Sequence, residues 1–198
     1  MKKFLCLFMM TLLILPAFAQ DSGKVKPEKE RMKPALLLID VQNRYMPMMA
    51  EQDVKEAPKY INWYMLLFRH YKLPVVRVYH SDPKWGPEPG SDGFAFDTVF
   101  HIEESDPMVI KTYGDGFNKT NLDSLLQAKG INTVFLCGLS ATGCVLATYI
   151  GANNHDYKAF MLKDALLSHD AELTKAVQEF TSTISWEALK LLLENTEN

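Results

Sequence analysis

Cysteine is scarce in this chain: three in 198 residues, at positions 6, 137 and 144. No two form a Cys-x-x-Cys pair, which removes the usual dithiol redox motif and leaves too few thiols for a disulfide scaffold. Glycine is also thin, at ten residues, and no Gly-x-Gly-x-x-Gly run is present, so no dinucleotide loop is expected. Charge of one sign is lacking as well. The net charge is −3 with 21 basic and 24 acidic residues, and no basic cluster marks a nucleic-acid groove or an anionic membrane surface. Neither nucleic acid nor membrane is expected as a partner of the folded part.

One long apolar run does occur, at the start. Met1-Lys2-Lys3 is a short basic lead, Phe4 to Leu15 is apolar, and Ala17-Phe18-Ala19 has the small-x-small pattern of a cleavage site. Residues 1–19 therefore read as a secretory signal peptide, too short for a stable membrane span. This places the mature protein in an exported compartment, periplasmic or secreted, and removes Cys6. Residues 20–33 are charged and poor in large apolar groups, and read as a flexible leader. Residues 34–198 form one domain of ordinary size.

Within that domain, continuous apolar runs alternate with amphipathic ones. Strands are expected over Ala35–Ile39, Val75–Tyr79, Met108–Ile110, Thr133–Cys137, Tyr157–Leu162 and Thr181–Ile184. A helix is expected to open at Pro58, with Ile61, Tyr64, Met65, Phe68 and Tyr71 on one face. Others are expected from Thr120, with a capping box to Asp123, and over Thr142–Asn153, Ala171–Phe180 and Ser185–Leu193. The segment Ser81–Ser105, rich in Pro, Gly and Asp, reads as a long loop. Buried strands separated by helices indicate an α/β fold with a parallel sheet covered on both faces.

Ligands of such sheets bind beyond the carboxyl ends of the strands. Asp40 follows the first strand, Lys111 the third, and the turn Gly138–Gly143 leads from the fourth to Cys144. Each residue has an ordinary structural role available: a turn cap, a solvated charge, a packed thiol. Together they suggest more, because a thiol at a helix start beside an ammonium has its pKa lowered and a carboxylate can take its proton. Strand order is not fixed by these signals, and strands one, three and four are taken as neighbours. Cys137 ends an apolar run and reads as a buried small hydrophobe without a disulfide to Cys144.

The stretches LLLIDVQNRYM, VIKTYGDGFNKTNL and CGLSATGCVLATYIGA resemble the three signature regions of the isochorismatase-like cysteine hydrolases, and LKDAL resembles a later one. The chain is most similar to the branch of small C–N hydrolases that includes N-carbamoylsarcosine amidohydrolase. The resemblance implies a three-layer α/β/α, Rossmann-like fold with a six-stranded parallel sheet. It implies Asp40 as general base and acid, Lys111 as electrostatic partner and Cys144 as nucleophile. It also implies a cis peptide bond at Leu139–Ser140 and an oxyanion hole from the N–H groups of Ser140 and Cys144. A small-molecule substrate and a homodimer or larger homo-oligomer follow from the same likeness. The substrate pocket is expected around Gln42, Tyr45, His80, Trp85 and Phe117, with lining from the segment Val41–Met49 and from the loop Ser81–Phe100, which carries Trp85, Phe94 and Phe96.

One departure is Ala141, where the family usually has Thr. It keeps open a binding protein that has lost activity, and a hydrolase of vinyl-ether type remains a further alternative. The metal-binding branch of the family carries Asp-x-His-Pro after its second strand. Here the order is His80-Ser81-Asp82-Pro83, with His101 further on, so a divalent ion on His80, Asp82 and His101 is a weak alternative to the expected absence of any cofactor. Ser140 could mimic a serine nucleophile with Asp164 and His169, but Thr142 stands where a nucleophile elbow needs glycine.

Overall fold

The computed structural model describes residues 31–195. The expected signal peptide, Cys6, residues 20–30 of the leader and the last three residues lie outside them. Six strands form a single parallel sheet: β1 (Pro34–Ile39), β2 (Val75–His80), β3 (Met108–Lys111), β4 (Thr133–Leu139), β5 (Lys158–Leu167) and β6 (Thr183–Ile184). Their spatial order is β3-β2-β1-β4-β5-β6. Five helices connect and cover them: α1 (Glu51–His70), α2 (Leu122–Ala128), α3 (Leu146–Asn154), α4 (Ala171–Phe180) and α5 (Trp186–Glu194). No described helix is long and apolar enough to cross a membrane.

The strands are apolar throughout because both faces are covered. Leu36 and Leu38 of β1 pack with Ala57, Ile61, Met65 and Phe68 of α1 and with Leu189 and Leu193 of α5. The alternate residues Ala35, Leu37 and Ile39 face Leu122 and Leu126 of α2, Ala152 of α3 and Val177 of α4. Period-two alternation thus divides one hydrophobic strand between two cores, giving three layers.

Two expectations need correction. Helix α1 begins at Glu51 rather than Pro58, which sits in its interior. Proline there removes a backbone bond, but the first turns are secured from outside. Asp53 Oδ2 accepts from the Ser168 N–H at 3.1 Å and the Thr174 hydroxyl at 2.7 Å, and the Ala50 N–H donates to the Ser168 carbonyl at 2.7 Å. The capping box at Thr120 is not formed. The Thr120 hydroxyl donates to the Gly116 carbonyl, and Asp123 instead accepts from the Tyr157 hydroxyl at 2.8 Å and from the Gln127 amide at 2.9 Å.

The topology creates the place for a site. After β1 the chain builds outward through β2 to β3; from β4 it builds the other way through β5 to β6. The β1/β4 boundary is therefore the switch point, where connecting segments part and leave a crevice at the carboxyl ends. Strands one and four are neighbours as expected, but strand three is not: β2 lies between β1 and β3, pairing His80 with Lys111 and Val78 with Ile39.

Candidate active site

Four adjacent strands each deliver a polar group to this edge. Asp40 leaves β1 with φ of 54°, a left-handed conformation that aspartate tolerates better than most side chains. The turn after β4 depends on Gly138, whose φ is +112°, and a Cβ there would lie 2.1 Å from the Ile39 carbonyl oxygen. The Leu139–Ser140 peptide bond is cis. A π-type turn over Ala141–Val145 follows, broken at Gly143 (φ −118°, ψ −108°), and places Cys144 two residues before α3. Such turns often mark functional sites. Ala141 is fully buried in the core on the α2–α4 side.

Lys111 is buried, with 1% of its surface exposed, and its ammonium is fully engaged. It donates to Asp40 Oδ2 at 2.7 Å, to His80 Nδ1 at 3.2 Å and to the Tyr113 carbonyl at 3.2 Å. An ammonium has three protons and no lone pair, so Nδ1 must accept. Burial and the Lys111 charge lower the His80 pKa, which keeps the ring neutral and leaves its proton on Nε2. The second oxygen of Asp40 is buried without a hydrogen-bond partner among the described residues. Asp40, His80 and Cys144 each place a ligand-type atom within 4.8 Å of the others.

A cavity of about 180 Å³ opens onto this cluster. Asp40, His80, Ser140 and Cys144 form its polar side, and Tyr45, Met49 and Leu139 its remaining walls. A larger cavity, about 620 Å³, lies elsewhere, near Lys33, Tyr71 and Lys129 at the amino ends of the strands. Size does not outweigh chemistry here, because the smaller cavity alone contains the acid, thiol and imidazole together. Burial, then the nearby carboxylate and thiol, push the Tyr45 phenol up to about 12, so it faces the cavity uncharged.

The thiol departs from expectation. Burial, with Asp40 beside it, pushes Cys144 up to about 12 rather than down, and Lys111 only partly offsets this. Burial likewise raises the Asp40 carboxyl against the opposing pull of Lys111. The resting arrangement is a protonated thiol next to a carboxylate made more basic than usual, suited to proton transfer at the moment of attack.

The pocket expectations divide. Tyr45 and His80 line the cavity. Gln42 lies beneath it, fully buried, with its amide nitrogen donating to the His80 and Phe94 carbonyls and its oxygen accepting the His80 N–H at 2.8 Å. Trp85 does not line it: 82% of its surface is exposed, because Asp82 turns the chain outward by capping the N–H groups of Lys84 and Trp85. Phe117 is also outside it, stacked on His155 at 4.8 Å in the core between helices. Phe94 and Phe96 are buried against Tyr79 rather than presented to a ligand. Met49, at the end of the expected Val41–Met49 segment, lines the cavity, whereas the Leu139 wall and the Tyr113 carbonyl escaped the sequence reading, since nothing in their local context distinguishes them from packing residues.

The metal set His80, Asp82 and His101 does not converge. Asp82 Oδ1 is committed to two backbone N–H groups, and His101 lies in a separate depression with Arg69 and Trp63. Asp40, His80 and Cys144 do not fit a metal ion either, because the Lys111 ammonium already holds Asp40 and His80 and sets a positive charge among them. The serine alternative is not assembled: Asp164 and His169 are exposed, while the Ser140 hydroxyl lies 3.3 Å from that of Thr142.

Residues 34–188 match the Isochorismatase domain. The chain belongs to the isochorismatase family. Among its relatives, YddQ, an isochorismatase family protein of Bacillus subtilis, is 28% identical over 139 residues, covering 68% of this chain and 77% of its own. Maleamate amidohydrolase of Pseudomonas putida is 26% identical over 157 residues, covering 68% and 72% respectively. The solved N-carbamoylsarcosine amidase of Thermoplasma acidophilum is 30% identical, with a TM-score of 0.67 over 78% of this chain and 95% of that one. The three-layer fold is thus that of the family, and the relatives include hydrolases of C–N bonds outside peptides.

Proposed function

We propose that this protein is an exported cysteine hydrolase that cleaves a small amide-like C–N bond. The observation that carries the reading is the convergence of Cys144, Asp40 and Lys111 on one cavity at the switch point of the sheet. In the first step the Cys144 proton passes to Asp40 as sulfur bonds to the carbonyl carbon. The C–N bond then breaks, and Asp40 returns the proton to the leaving nitrogen. Water, deprotonated by Asp40, opens the thioester and regenerates the thiol. Lys111 holds the carboxylate in place and balances its charge. The N–H groups of Ser140 and Cys144 are the proposed donors to the oxyanion, supported by the position of both residues in the cavity wall. No step passes through a metal. Export rests on the character of residues 1–19, and assembly as a homodimer or larger rests on the family resemblance.

A panel of small amides and carbamoyl compounds, assayed by ammonia release, tests the reading. Cys144→Ala should lower turnover by several orders of magnitude while leaving the unfolding transition in place. Turnover retained in that variant would reject covalent catalysis and favour the vinyl-ether type of chemistry. Ligand binding with no turnover in the wild type would favour the inactive binding protein that Ala141 brings to mind.

A further inference from the structure

We propose that His80 is a positioning residue of this site: its neutral ring accepts a proton of the Lys111 ammonium and so holds Lys111 against Asp40, and a proton on that ring releases both. The role deepens the proposed hydrolase reading and rests on it, while the contact itself can be read without any substrate. It begins with register. Strands β2 and β3 are parallel and pair His80 with Lys111, so the two side chains leave neighbouring strands on the same face of the sheet. There Lys111 Nζ meets His80 Nδ1 at 3.2 Å.

The count of donors and acceptors gives this contact its weight. The buried ammonium has three protons and three acceptors: Asp40 Oδ2, His80 Nδ1 and the Tyr113 carbonyl. A buried ammonium that loses one acceptor keeps a desolvated proton with no partner, which costs more than the bond itself was worth. It regains a partner only by turning or moving, and its bond to Asp40 moves with it. Asp40 feels this directly, because Lys111 binds Oδ2 while Oδ1 has no partner among the described residues. Positioning thus runs from imidazole to ammonium to carboxylate, and the carboxylate is the group that must meet the Cys144 proton.

The ring is itself fixed from outside the cluster. Gln42 clamps the His80 backbone, donating to its carbonyl at 3.1 Å and accepting from its N–H at 2.8 Å, and the Tyr45 ring stands edge-on at 6.1 Å. A ring so held loses Lys111 by taking a proton on Nδ1, which sets two cations against each other. The groups facing it are Lys111 from β3, Asp40 from the end of β1, Tyr45 from the segment beyond, Cys144 from the turn before α3 and Asp82 on its own segment. Burial and Lys111 lower the ring's pKa, and the opposing pull of Asp40 and Asp82 does not overcome them. His80 is therefore neutral at pH 7 and takes its proton only below the ordinary 6.5.

Two variants of the full chain separate this role from packing. Asparagine carries its amide oxygen on Cγ, the carbon that bears Nδ1, so His80→Asn keeps an acceptor that cannot titrate; His80→Leu keeps bulk and loses the acceptor. Without substrate, heteronuclear NMR of the wild type at pH 7 should find the His80 ring neutral with its proton on Nε2. The Lys111 ammonium protons should exchange with water at least about tenfold faster in His80→Leu than in the wild type or His80→Asn. On an amide that the wild type turns over, His80→Leu should lower kcat at least about tenfold with little change in KM. His80→Asn should retain most of the wild-type rate at pH 7, and its rate should fall less steeply in acid, since Asp40 alone still takes a proton there. A proton on Nδ1 at pH 7, equal ammonium exchange in all three proteins, an undiminished kcat in His80→Leu or an unchanged acid limb in His80→Asn would overturn the inference. The expected NMR result with no amide turned over would uphold the hold of His80 on Lys111 and count against the hydrolase reading instead.

Discussion

Cys144 shows how one residue's chemistry depends on its neighbours. A cysteine before a helix and near a lysine would ordinarily be an activated thiolate, reactive before any substrate arrives. Here the sulfur is half-buried beside Asp40, and the thiol holds its proton up to about 12. Below that value each pH unit raises the thiolate fraction tenfold, so alkylation by iodoacetamide should keep rising through pH 9, the ordinary thiol value. A rate that levels off near neutral pH would instead show a depressed thiol and an activation that precedes binding. Cys137 should stay unlabelled in the folded protein, since it is fully buried and its thiol donates to the Leu37 carbonyl. Both cysteines are free, and β4 holds one while the turn beyond holds the other.

Among the elements, α1 is secured at its start by contacts distant in sequence. It carries proline in its interior and no side-chain cap at its start. Asp53 compensates by tying its first turn to Ser168 and Thr174, across the end of β5 and into α4. Asp53→Ala leaves a buried N–H and hydroxyl without that acceptor and should lower stability by about 1.5–3 kcal/mol. Urea unfolding would show this as a lower midpoint at unchanged slope. A change below about 0.5 kcal/mol would mean that packing, not Asp53, fixes the start of the helix. Met49, which lines the cavity, lies two residues before α1, so the same variant should also raise KM.

At the scale of the whole molecule, the parallel sheet gathers residues from Asp40 to Cys144 on one edge while the two cores hold the strands in register. Residues 1–19 lie outside the described residues, and their sequence character predicts that they are removed during export. Mass spectrometry of protein recovered from the exported fraction should find a chain beginning at Gln20. A chain retained in the cytoplasm and still beginning at Met1 would contradict the assignment.

Much of this was legible in the residues themselves. Buried strands announce themselves as unbroken apolar runs, and helices by their period, because burial on two faces or one stripe dictates those patterns. Asp40, Lys111 and Cys144 could be picked out since each follows a strand, and in parallel sheets strand ends share an edge. Tertiary structure decided what no local pattern carries. Strand order put β2 between β1 and β3, which made His80, besides lining the cavity, the acceptor of a Lys111 proton. It sent Trp85 to solvent and Phe117 into the core, although aromatic side chains read alike in a sequence. It also reversed the expected state of the thiol: proximity to Lys111 was foreseeable, but desolvation depends on everything packed around a group, and that sum exists only in the folded chain.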